Sequence, residues 1–219
     1  LPGGSRSRTA TKERTMLMSD SWYKVDNVAK VFLATVSQRD PRVFRISCTL
    51  NEEIDPDTLN EALRSTAQEW PQFQVTLHRG LFWHYFESTD QLPTAQPETK
   101  APCAPLYTPE RRNKLIYRVT YFGARINLEM FHALTDGNGG LLYLKSIVRN
   151  YLALRHPGEM ENVPSPNSAS AGDMAQDSFR NFYEGTKRKK PAEKPKVYHP
   201  HGFLPYSQLQ FFEGHLSSK

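Results

Sequence analysis

Residues 126–140, Ile-Asn-Leu-Glu-Met-Phe-His-Ala-Leu-Thr-Asp-Gly-Asn-Gly-Gly, constrain the fold more than any other stretch, because the hydrophobic period changes in their middle. Ile126, Leu128 and Met130 alternate with Asn127, Glu129 and Phe131, and a period of two predicts a strand. His132 continues the apolar set at the strand's end and is expected to point inward. Asp136-Gly137 then breaks the alternation, and Asn138-Gly139-Gly140 keeps a turn free of bulk. Over residues 141–154 the apolar positions return at helical spacing. The order is strand, turn, helix, with a histidine at the junction.

Two readings of that junction stand side by side. A histidine on an apolar strand face can be a core residue satisfied by a backbone carbonyl, and Asp-Gly before a helix can be a turn with an N-cap. Yet His132-Ala133-Leu134-Thr135-Asp136-Gly137 also reads His-x-x-x-Asp-Gly. With a strand before it and a helix after it, the chain resembles the acyltransferase superfamily of chloramphenicol acetyltransferase, BAHD acyltransferases and peptide-synthetase condensation domains, in its alcohol acetyltransferase-like branch. The resemblance covers residues 22–155 and rests on the motif and on the order of elements ahead of it.

That resemblance implies an α/β fold of the α+β sandwich type, a mixed sheet flanked by helices, as in a chloramphenicol acetyltransferase-like lobe. It implies that His132 is the general base, taking the proton of an acceptor as the acceptor attacks an acyl thioester. An imidazole titrates near neutral pH, and an apolar setting disfavours its charged form, which suits a base. Asp136 is implied to be structural, turned from substrate and paired with an arginine, for which Arg39, Arg42 and Arg45 are the candidates. Gly137 is implied to give the backbone room that a side chain would block. The implied donor is acyl-coenzyme A or a carrier thioester, a co-substrate and not a permanently bound cofactor, and the acceptor is an alcohol or amine. A binding or scaffold module of the same fold is the non-enzymatic alternative.

The rest of the chain is read in order. Residues 1–19, rich in Gly, Ser, Thr and Arg without periodicity, are expected to be a disordered tail. Residues 20–156 are expected to form the lobe. Within it, residues 22–32 suit a short helix and residues 43–50 a strand, and Asp55-Pro56 opens a helix as N-cap and first-turn proline. Leu59, Ala62, Leu63, Thr66 and Trp70 are the expected buried stripe of that helix, and Pro71 stops it. Residues 73–78 and 81–87 read as a hairpin about Arg79-Gly80, residues 89–113 as an irregular, proline-rich loop, and residues 115–122 and 125–132 as a second hairpin around Gly123. Residues 157–206, with Lys187-Arg188-Lys189-Lys190, are expected to be a crossover linker, and residues 207–219 to hold a terminal strand at 208–212. Fewer than half of the 219 residues follow His132, too few for a second lobe, and the Asp-Phe-Gly-Trp-Gly stretch of the BAHD branch is absent. The expectation is therefore an N-terminal lobe, completed by a C-terminal lobe or by self-association.

Composition narrows the partners. At 38% hydrophobic and 11% aromatic the chain can build a real core, and no apolar run nears the roughly 18 residues of a membrane span. Cytoplasm and no membrane partner are the expectations. The net charge of +5 resides in two segments: four basic residues against one acidic in residues 1–15, and six against two in residues 184–196. What remains is slightly acidic, so no nucleic-acid partner is expected. Cys48 and Cys103 form neither a disulfide framework nor a metal spacing, and reduced thiols are expected. His78 and His84 read as structural strand residues and His199-Pro200-His201 as a loop, so no metal site is expected. No Gly-Lys-Ser/Thr follows Gly137-Asn138-Gly139-Gly140, which excludes a Walker loop.

Overall fold

Aspartate caps set where the helices begin. Short strand β1 (Trp22–Lys24) precedes helix α1 (Asn27–Thr35), and the α1 N-cap, Asp26, accepts a hydrogen bond from Ala29 N at 2.6 Å. The helix expected over residues 22–32 thus starts only after Asp26, and Trp22 belongs to a strand edge instead. Strand β2 (Val43–Thr49) follows. Helix α2 (Pro56–Glu69) opens on Asp55, which accepts from Thr58 N at 2.9 Å, and on Pro56, as the sequence predicts. Its stripe of Leu59, Ala62, Leu63 and Thr66 is fully buried, as is Trp70 at its end. A 3-10 turn (Pro71–Phe73) then leads into strand β3 (Val75–Arg79).

The return strand β4 (His84–Ser88) begins later than the sequence suggests. Gly80 N donates to Trp83 O at 2.7 Å, so Leu81, Phe82 and Trp83 form the hairpin's tip and not its second strand. Strand β5 (Ala95–Pro97) lies inside the stretch read as irregular. Two prolines hide its pattern, and Asn60 Oδ1 holds its start by accepting from Ala95 N at 2.8 Å. Strands β6 (Tyr117–Phe122) and β7 (Arg125–Phe131) make the second hairpin, turning at Gly123 with φ +52°, a conformation that favours glycine. Helix α3 (Gly137–Arg155) comes last. Its first turn is built from the glycines that the sequence reading assigned to a turn.

These strands form two sheets. One has the order β1-β4-β3 and is antiparallel; the other has the order β2-β7-β6-β5, with β5 parallel to β6 and the remaining pairs antiparallel. The larger sheet is therefore mixed, and helices flank it, which is the α/β architecture expected. The structure is a computed structural model that describes residues 22–37, 39–99, 101–108, 111, 113–160 and 163, all within one compact unit of the chain. The tail at residues 1–19, most of the linker and the strand expected at residues 208–212 lie outside the described residues.

One hydrophobic cluster joins β7 to α2 and α3 through Ile126, Leu128, Met130, Leu59, Leu63, Tyr143 and Ile147. A second cluster joins α1 to the smaller sheet through Ala29, Leu33, Leu77 and Ile116, with Phe131 and Ala133. Ile126, Leu128 and Met130 are buried as predicted. Asn127, Glu129 and Phe131 are buried too, because β7 is a central strand covered on both faces. The alternation that marks a half-exposed strand here marks two kinds of burial.

Candidate functional site

His132 is the residue after β7, and the strand pairing carries over to it. Val43 pairs with Phe131, and the next rung is His132 N donating to Arg42 O at 2.8 Å. Arg42 takes φ 54°, a strained value for a residue with a Cβ, just where its carbonyl meets the histidine. A turn follows, with Leu134 N donating to Phe131 O at 2.9 Å. Backbone geometry on both sides thus fixes where the imidazole starts.

Two aromatic rings fix the imidazole plane. Phe32 of α1 stacks on it with centroids 4.1 Å apart and planes 11° from parallel, and Phe44 of β2 meets it at 5.0 Å and 59°. Phe32 packs against the second hydrophobic cluster and Phe44 against the first, so His132 sits where the two meet. The ring is half-buried, and its Nδ1 is buried with no hydrogen-bond partner among the described residues. The bland reading of a core histidine satisfied by a carbonyl therefore fails for this atom.

Asp136 works at the helix start. It is the N-cap of α3, its Oδ1 accepts from Gly139 N at 2.8 Å, and its carbonyl accepts from Gly140 N at 3.0 Å. The carboxylate is exposed. Two of its three expected partners are committed elsewhere: Arg42 pairs with Asp40 at 3.1 Å, and Arg45 binds Glu98 and Glu129. The turn is held by a helix cap, the structural role expected of Asp136. Gly137 is exposed, and a Cβ there would meet no atom within 4 Å, so any room it leaves faces outward.

Packing leaves no space for a side chain at two glycines of that helix start, Gly139, where a Cβ would collide with Thr135 Oγ1, and Gly140, which touches the site. A Cβ on Gly140 would lie 2.9 Å from Phe44 Cε2 and 3.3 Å from Met130 Sδ, inside ordinary contact. Gly140 thereby lets α3 close on the same ring that braces His132. Sequence reading placed Gly140 in the turn and Phe32 on a packing helix, with no signal joining them to the histidine. The contacts bridge distant stretches of chain, which no local period reports.

The other candidates are set aside by their surroundings. His78 Nε2 lies 2.8 Å from Thr76 Oγ1 and 3.0 Å from Glu87 Oε2, a strand-face pairing of the structural kind expected. Burial, then the Arg79 charge, lower the pKa of His84, whose ring meets Tyr107 edge-on. Burial, then the Glu129 charge, push the Cys103 thiol up, and burial does the same to Cys48, so neither is a ready thiolate. Among the described residues no three His, Cys, Asp or Glu side chains gather as a metal site, and no helix is long and apolar enough to cross a membrane.

No protein-family model matches the chain, and no curated protein matches it in sequence. Solved structures match it in fold. A variant of the starter condensation domain of rhizomide synthetase RzmA, in complex with C8-CoA, is similar with a TM-score of 0.50 and 10% identity, over 67% of this chain and 38% of that one. The described residues share the fold of part of a condensation domain. Weaker likenesses are polyketide synthase associated protein 5 from Mycobacterium tuberculosis, with a TM-score of 0.47 and 15% identity over 64% and 35% of the two chains. SgcC5 from Streptomyces globisporus follows, with a TM-score of 0.46 and 16% identity over 60% and 37%. The chain spans less than two-fifths of the length of these structures.

Proposed function

We propose that this chain is an acyltransferase lobe that moves an acyl group from a coenzyme A or carrier thioester to an alcohol or amine, with His132 as general base. The observation that carries the reading is the aromatic seat of His132: two rings hold the imidazole plane while its backbone N–H is tied to Arg42. The neutral imidazole is the form able to accept a proton. In the reaction, the acceptor's O–H or N–H proton passes to His132 as the oxygen or nitrogen attacks the thioester carbon. The carbon–sulfur bond then breaks, and the imidazolium returns the proton to the leaving thiolate. Asp136 does not enter this step; it holds the start of α3. Gly137 leaves the outward approach clear of a side chain.

The lobe supplies the base and one wall of the site, and its partner is a C-terminal lobe or a second copy. Holding donor and acceptor in register can be worth about 7 to 11 kcal/mol, whereas acid–base help alone gives roughly 10²- to 10⁴-fold. One lobe with a half-buried imidazole has the second contribution and lacks most of the first.

The test is thiol release from acetyl-coenzyme A and from C8-CoA, the molecule bound by the starter condensation domain of similar fold. Negligible release is expected from the monomeric chain with simple alcohols. Release should appear when a second lobe is supplied and vanish again in His132→Ala. Efficient turnover by a demonstrated monomer would overturn the half-site reading. Turnover indifferent to His132→Ala would overturn the assignment of the base, and binding of acyl-coenzyme A without any turnover in the completed protein would make the chain a scaffold.

A further inference from the structure

A run of exposed apolar side chains lies at the tip of the smaller sheet. Leu81 and Phe82 are each 85% exposed and Trp83 60%, in succession at the β3–β4 tip, and Trp22 of β1 is 66% exposed. Trp22, Phe82 and Trp83 line a groove of about 530 Å³ together with Leu33, Lys24 and Lys30. Scattered apolar residues on a surface need no explanation, but a contiguous apolar tip does.

We propose that this hairpin tip docks the chain on an anionic lipid surface. Charge decides between occupants. Lys24, Lys30 and Arg79, all exposed, surround the tip, and the one carboxylate in the adjoining groove, Glu87, is met by His78 at 3.0 Å. Apolar and aromatic groups set among cations match a bilayer interface, where tryptophan sits at headgroup level and lysines meet anionic lipid. A lipid surface also accepts several neighbouring apolar side chains without requiring one fixed shape, whereas a protein partner needs a complementary pocket for its anchors. The Gly80–Trp83 hydrogen bond holds the tip closed, so little conformational freedom is lost on docking. No helix needs to cross the bilayer for this, and none among the described residues could.

Vesicle flotation tests the proposal independently of any catalytic activity. The chain is mixed with vesicles of phosphatidylcholine alone or with phosphatidylserine added, at physiological salt, beside Leu81→Ser/Phe82→Ser and Lys24→Gln/Lys30→Gln variants whose melting temperatures match the parent's. The parent is expected to float with the phosphatidylserine vesicles. The hairpin variant should bind on the order of 100-fold more weakly, and the lysine variant roughly fivefold more weakly for each lysine replaced. Failure of the parent to float overturns the proposal. Equal flotation of the hairpin variant also overturns it, because binding would then come from basic residues elsewhere, such as Lys187-Arg188-Lys189-Lys190. A dimer in sedimentation velocity that only the hairpin variant abolishes, with no vesicle binding, would assign the patch to a second copy of the chain.

Discussion

On one face of β7, Ile126, Leu128 and Met130 meet apolar side chains of α2 and α3; on the other, Asn127 and Glu129 are buried just as fully among polar partners. Asn127 Oδ1 accepts from Ser47 Oγ at 2.8 Å. Glu129 binds Arg45 through Nε at 2.8 Å and Nη2 at 2.5 Å, Arg118 through Nε, and the Cys103 backbone N–H at 2.7 Å. Arg118 also reaches the Ala101 carbonyl at 3.1 Å, so this network ties down the loop ahead of β6. The apolar face gains from removing surface from water, and the charged face holds only because each group meets its match. His132 follows directly from this strand, so both kinds of burial place it.

The two faces should fail differently. Glu129→Gln is expected to be the largest single loss, about 3 to 5 kcal/mol, because the Arg118 guanidinium would lose its carboxylate and Arg45 would keep only Glu98. Leu128→Ala should cost about 2 to 5 kcal/mol by leaving a cavity. Urea denaturation of both variants measures these values. The comparison sharpens if Arg45, Arg118 and Glu129 are replaced together by apolar residues, since a whole buried network can be exchanged at little cost while its fragments cannot. A Glu129→Gln loss under 1 kcal/mol would mean that the network behaves as solvated surface pairs and the contrast is false.

Gly140→Ala probes where the faces converge on the site. The added methyl presses on Phe44 and Met130, and overpacking of this kind costs about 1 to 3 kcal/mol, offset by roughly 1 kcal/mol of better helix propensity. The expected result is a modest loss of stability together with a shifted His132 imidazole resonance, because Phe44 braces that ring. A stability change without any movement of that resonance would separate Phe44 from the positioning of His132. Asp136→Ala should cost less, about 1 kcal/mol in urea denaturation, as loss of an exposed helix cap. A loss of several kcal/mol would instead point to a buried ion pair for Asp136.

How much of this was legible depends on the range of each signal. The caps at Asp55 and Asp136, the stripe on α2, the strand ending beside His132 and the helix after it were all written locally, and the structure has them. Strand β5 leaves no local signal, because an edge strand with Pro93 and Pro97 beside or within it carries no alternation. The hairpin tip reads as strand because Leu81, Phe82 and Trp83 are apolar, although burial never follows. At the site, the motif pointed to His132 and Asp136, but Phe32, Phe44, the Arg42 carbonyl and Gly140 meet the histidine or its support only after the chain has folded. The arginine network escaped for the same reason: Glu129 looked like the polar side of a half-exposed strand, and its partners lie on two other strands.

The smallest expected effect concerns acid. Burial pushes the Glu98 carboxyl up, but hydrogen bonds from Arg125 and Arg45, and the charges behind them, outweigh it and hold the group below the ordinary carboxylate value. A depressed folded value means that the unfolded chain takes up the proton first as pH falls. The stabilisation from Glu98 is therefore complete above the unfolded carboxylate value of about 4.3 and is lost as pH drops through the lower folded value. Glu98→Gln removes the titrating group, so the variant should be slightly less stable at pH 7 and should lose less further stability than the parent between pH 5 and pH 3. Glu98 joins Arg45 and Arg125 at the margin of the network, with part of its carboxylate in water, so its share should be smaller than that of fully buried Glu129. Melting temperatures of parent and variant across that range decide the matter. Parallel curves would show that Glu98 carries no linked proton and that the charged face of β7 depends on Glu129 alone.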